Sequence, residues 1–167
     1  MKRIIVLFSL LVFGFAGIQT ATAQKLGYVN VDSVFMQMPD RAKAQKELQQ
    51  FTKELENQLT TMNAELEKKY ENYTQEAESL SPSVKNMKER ELQDLQTRIQ
   101  SFQMSAQQDI QEKELELLQP IRDKVLKAVK DVGEEQGYMY IFDASMLIYK
   151  SDKGENLTPE VKTKLGL

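Results

Sequence analysis

Carboxylates are the groups in this sequence best placed to do acid or base work. Glu65 and Glu67, and Glu112, Glu114 and Glu116, stand close together amid lysines. On helix faces open to water, such runs form salt pairs rather than catalytic acid and base sets. Asp143 closes an apolar run, and as a strand-end residue it is expected to cap the turn at Ala144. The sequence contains neither His nor Cys, which removes the commonest general base, the thiol nucleophile and most zinc and redox sites. No glycine-rich phosphate loop occurs. These absences point away from an enzyme, and no catalytic residue, cofactor or metal is expected.

The remaining chemistry is apolar contact. Phe51, Met62 and Tyr73 recur at eleven-residue spacing, and Met87, Phe102 and Met104 fall beside the same row or toward one end of it. Such a row either covers the flank of a helix seam or faces something outside the chain. In the second case Phe51, Met62, Tyr73, Met87 and Phe102 are the contact candidates, with flexible Met suited to partners of many shapes.

These residues need a long helical element to position them. Residues 40 to 132 are rich in Glu, Gln, Lys and Leu, contain no Gly, and have Pro only at 82 and 120. Apolar residues from Ala44 through Leu48, Leu55, Leu59 and Leu66 to Tyr70 advance alternately by four and by seven, an eleven-residue period. That period corresponds to a nearly straight packing rather than a left-handed heptad coil. Leu95, Ile99, Ala106, Ile110, Leu117 and Ile121 keep the same clock. Folding the chain at Pro82 pairs Ala44 with Ile121, Leu48 with Leu117, Leu55 with Ile110, Leu59 with Ala106, Leu66 with Ile99 and Tyr70 with Leu95, every pair of numbers adding to 165. The expectation is an antiparallel coiled-coil hairpin roughly 60 Å long. Pro120 should kink its second helix near the base, either setting the angle of the arm or with no role.

The two ends are β-rich. "KLGYVNV" at residues 25 to 31 reads as a strand, followed by a helical turn capped by Asp32 or Ser33 before Pro39. Residues 138 to 143 and 146 to 150 read as a β-hairpin with its link at Ala144 and Ser145. Tyr138, Tyr140 and Phe142 share one face and Met139 and Ile141 the other, so this sheet wants cover on both sides. Three short strands supply little sheet, which favours oligomerisation through Leu26, Tyr28, Val29, Tyr138, Tyr140, Phe142, Leu147 and Tyr149. A closing helix is expected with Thr158 as N-cap and Pro159 at its first position. The fold class is α+β, with a body from residues 24–39 and 133–167 and an arm from residues 40–132, its tip near 80–85.

"MKRIIVLFSLLVFGFAGIQTATAQ" reads as a secretory signal peptide cut after Ala23. Its loss removes Lys2 and Arg3, leaving 20 basic against 25 acidic residues, a formal charge of −5. An acidic chain with interspersed Lys and Glu disfavours nucleic acid as a partner. Without Cys, neither a lipobox nor a disulfide is possible.

With "KLGYVNVDSVF" leading into the long hairpin, then "LLQPIRDKVLKAVKDVGEEQGYMYIFDAS" and "LTPEVKTKL", the chain after residue 23 resembles the OmpH/Skp family of periplasmic chaperones. The resemblance implies a homotrimer whose strands form a small β-barrel-like trimerisation body. From it three helical hairpins project as tentacles around a cavity that holds unfolded outer-membrane proteins without ATP. Basic members of the family are credited with attracting clients, lipopolysaccharide or anionic membranes through cationic tips. Here six basic and six acidic residues balance between positions 68 and 98, which disfavours lipopolysaccharide or membrane contact and leaves apolar contact as the holding force. The rival reading is a structural or adaptor coiled-coil protein of the cell envelope.

Overall fold

The computed structural model describes residues 24–167. The expected signal peptide, residues 1–23, lies outside the described residues.

The chain opens with strand β1 (Leu26–Val29) and helix α1 (Val31–Gln37). Asn30, rather than Asp32 or Ser33, caps α1: its side-chain oxygen accepts the Ser33 N–H at 2.8 Å. An Asx side chain one residue before the helix reaches the orphan donors that a residue inside the first turn cannot. After Pro39, helix α2 (Asp40–Glu76) runs for 37 residues. Residues 77–81 turn the chain, and α3 (Pro82–Gln136) returns for 55 residues with Pro82 in its first turn, where the missing N–H costs nothing. At 1.5 Å per residue α3 is roughly 80 Å long. It ends on Gly137, which at φ 71° takes the left-handed cap that other residues adopt only with strain.

Strands β2 (Tyr140–Asp143) and β3 (Glu155–Asn156) complete a three-stranded sheet in the order β2-β1-β3, both parallel to β1. Leu26 pairs with Tyr140 and Val29 with Asp143, while Gly27 pairs with Glu155. The expected hairpin between residues 138–143 and 146–150 does not form. Asp143 Oδ1 accepts the Ser145 N–H at 3.0 Å and starts a 3-10 turn, Ala144–Met146, that carries the chain out of the sheet. A two-residue hairpin needs positive φ in its link, and Ala144-Ser145 offers neither Gly nor Asn. Residues 147–150 are irregular, and the third strand comes later, at Glu155–Asn156.

Helix α4 (Thr158–Lys164) closes the chain with Pro159 in its first turn. Thr158 does not cap it; it is the first helical residue, its hydroxyl donating to Asn156 Oδ1 at 2.7 Å and accepting the Asn30 N–H at 3.0 Å.

One core cluster joins these pieces: Val29, Val34, Met38 and Ala44 from the first third of the chain, Ile121, Val125, Ala128 and Val132 from α3, and Val161 from α4. The helix passes unbroken through residue 133, where the body was expected to begin, and its residues 121–132 wall the core.

Candidate interaction surfaces

Along the arm, α2 and α3 lie side by side, and position numbers fall in one helix as they rise in the other. Lys113 pairs with Glu47 at 3.0 Å, Lys88 with Glu76 at 3.0 Å and Lys69 with Glu91 at 3.7 Å, while Lys124 pairs with Asp40 at the base. These pairs lie along the water-exposed flank of the seam, where solvent screens them and they add little to stability. The Glu47 carboxylate, with Glu116 beside it, holds the Lys113 ammonium above its ordinary pKa. Between the helices the expected partners meet at shared walls. Leu55 and Leu59 line a cleft of about 380 Å³ with Phe102, Ala106 and Ile110, because Ala106 is too short to fill the space opposite Leu59. Leu48 and Leu117 line a second, of about 240 Å³, nearer the body.

Toward the tip the seam departs from expectation. Tyr70, expected against Leu95, is 57% exposed, although Leu95, Ile99 and Leu92 are buried. Tyr73, one turn on, is half-buried: its hydroxyl donates to the Glu89 carboxylate, and that bond raises the phenol pKa. Of the outward candidates, Phe51, Met62, Tyr73 and Phe102 are half-buried and only Met87 is exposed. Phe102 belongs to the seam cleft, so these five do not form one open face.

In the body, Leu26, Tyr140, Phe142 and Tyr149 are exposed, with the Tyr140 and Phe142 rings stacked at 6.2 Å. Tyr28, Tyr138 and Leu147 are half-buried. Lys150 Nζ lies 4.7 Å above the Tyr28 ring and Lys25 Nζ 4.0 Å above that of Tyr138. The Tyr138 hydroxyl is buried without a hydrogen-bond partner among the described residues, and burial raises its pKa. Val29 is 1% exposed and belongs to the chain's own core, so it supports the body from inside and is closed to a partner.

Sequence reasoning missed Leu115 and Leu126 on α3 and Met146 and Ile148 after β2, all exposed. The first two follow the eleven-residue period on the side of α3 away from the seam, where the pairing rule does not look. Among the described residues no His, Cys, Asp or Glu cluster is arranged to hold a metal ion, and no helix is long and apolar enough to cross a membrane.

The family model for outer membrane protein (OmpH-like) matches residues 25–165, nearly all of the described chain. The chain belongs to the OmpH family. Among this family's relatives, a protein named "Chaperone protein Skp" from Photorhabdus laumondii subsp. laumondii is 27% identical over 139 residues, spanning 83% of this chain and 84% of the relative. An uncharacterized Aquifex aeolicus protein is 31% identical over 139 residues, spanning 82% and 83%. A solved OmpH-like structure from Caulobacter crescentus CB15 superimposes with a TM-score of 0.71 at 12% identity, covering 90% of this chain and 89% of that one, which gives the OmpH fold independent support. OmpH family members are chaperones rather than enzymes, in keeping with the absence of catalytic chemistry in the sequence.

Proposed function

We propose that this OmpH-family chain is an ATP-independent holdase chaperone of the periplasm, exported by a signal peptide cut after Ala23. Three copies join through their sheets into a β-barrel-like body. Three antiparallel helical hairpins project from it as tentacles around a cavity that holds unfolded outer-membrane proteins and keeps them from aggregating. The observation that carries this reading is the surplus of apolar surface over packing partners. Met139, Tyr140, Phe142, Met146, Ile148 and Tyr149 crowd one stretch of the body in the open, and the arm is too thin to bury what its helices carry. The relatives named as Skp chaperones support the chaperone class.

A holdase needs contacts that are many and individually weak, because each must yield when the client leaves. Apolar burial at ~25 cal/mol per Å², offset by the ordering of a mobile client, supplies a grip of that kind. With its balanced tip, this arm holds by apolar contact and confinement rather than by long-range attraction of anionic lipid or lipopolysaccharide.

Light scattering of a denatured outer-membrane barrel protein diluted into buffer tests the proposal. The chaperone suppresses scattering stoichiometrically, whereas a structural or adaptor coiled coil leaves it unchanged. Replacing Met87, the exposed member of the five expected contacts, by Ser is expected to weaken suppression while the molar mass stays the same.

A further inference from the structure

Sulfur chemistry in this chain belongs to methionine alone, since the sequence has no Cys. Among the described residues Met36, Met87, Met104, Met139 and Met146 are exposed, and Met38 is buried. Met36 differs from the other exposed four in what it touches: the Arg41 guanidinium donates from Nη1 to Met36 Sδ at 2.8 Å. No other thioether accepts a hydrogen bond among the described residues.

The contact spans a joint. Met36 lies in the last turn of α1 and Arg41 in the first turn of α2, with Met38 and Pro39 between them at the foot of the arm. A guanidinium carries five N–H donors, and that of Arg41 pairs with no carboxylate among the described residues. The neighbouring Asp40 is taken by Lys124, and Glu114, which lines a cleft with Arg41, forms no ion pair with it. The Phe35 ring, 5.3 Å from Arg41 Cζ, is the other support of this cation. A thioether is a poor acceptor for so strong a donor, whereas an oxygen carried on the same sulfur would be a good one.

We propose that Met36 is a site of oxidation by peroxide, at which the sulfoxide, bound by Arg41, fastens α1 to α2 and stiffens the root of the arm. A lone pair on Sδ attacks one oxygen of hydrogen peroxide. The S–O bond forms as the O–O bond breaks, sulfur gives up two electrons, and the departing hydroxide takes the proton left on the transferred oxygen and becomes water. The sulfoxide oxygen then accepts from the guanidinium, a charge-assisted bond in place of a weak one. Methionine oxidation ordinarily does harm by putting a polar group into an apolar core. Met36 is 63% exposed and has little such packing to lose, while Met38, 6% exposed and part of the core, is shielded from the oxidant. This response at the joint is independent of client binding.

The test uses the full mature chain with Met62, Met87, Met104, Met139 and Met146 replaced by Leu, which leaves Met36 as its exposed thioether. After treatment with hydrogen peroxide, mass spectrometry of its peptides should find one added oxygen, on Met36, and the urea midpoint should rise. With Arg41→Leu added, the oxygen is still taken up and the midpoint should no longer rise. A second comparison needs neither oxidant nor the five replacements. In the otherwise unaltered mature chain, Met36→Gln, whose amide oxygen can accept from the guanidinium, should have a higher midpoint than Met36→Leu, and Arg41→Leu should erase the difference. A Met36 that stays unoxidised, a midpoint that holds or falls on oxidation, or a rise that persists without Arg41 overturns the proposal, as does a Gln at position 36 that stabilises no more than Leu.

Discussion

At Gly27 one hydrogen in place of a methyl group decides whether the sheet closes on α4. A Cβ built there would lie 2.8 Å from Leu157 Cδ1 and 3.0 Å from a Tyr138 ring carbon, and Leu157 is buried with no room to move aside. Gly27→Ala is expected to cost about 1–3 kcal/mol, read as a lower urea midpoint for the mature chain. Acid sensitivity is written into Asp40. Its hydrogen bond with Lys124 holds the carboxyl pKa below the ordinary 3.8, so the bond's stabilisation is complete above that value and is lost as pH falls through the lower, folded-state value. Asp40→Asn should flatten the fall in stability below about pH 4, measured by urea unfolding across acid pH. Neither detail was legible beforehand: "KLGYV" marks a strand without revealing that Leu157, 130 residues on, presses against its glycine, and nothing local in the sequence joins Asp40 to Lys124.

At the scale of elements, the long helices were legible because the apolar period of eleven is a property of each segment by itself. The pairing that adds to 165 placed Leu55 near Ile110 and Leu59 near Ala106 in one cleft. Cysteines at 55 and 110 should therefore crosslink within one subunit, seen as a mobility shift without a gain in mass. The β-hairpin was misread because apolar runs do not reveal pairing: whether a strand returns or departs depended on the Asp143 side chain bonding to Ser145. Leu115 lies outside the reach of the pairing rule because it stands on the side of the same helix away from the seam. At the end of α3, Gly137→Ala should cost about 1–2 kcal/mol by forcing a side chain into left-handed backbone, read as a lower thermal midpoint.

For the whole molecule, Ile148 is fully exposed and Tyr149 is 82% exposed, an arrangement a lone soluble subunit would tolerate poorly. The mature chain is expected to scatter light with the mass of three subunits, and Ile148→Ser with Tyr149→Ser should shift it toward one. Because the tip is charge-balanced, moving from low to high salt should leave aggregation suppression nearly intact. The unbroken course of α3 has a mechanical consequence. One helix runs from the far turn into the hydrophobic centre, where Val125 and Val132 are held, so it works as a lever whose fulcrum is the core. Pro120, just outside that core, leaves one backbone hydrogen bond of the helix unmade, so a sideways load at the tip reaches those valines as torque through the softest point of the lever.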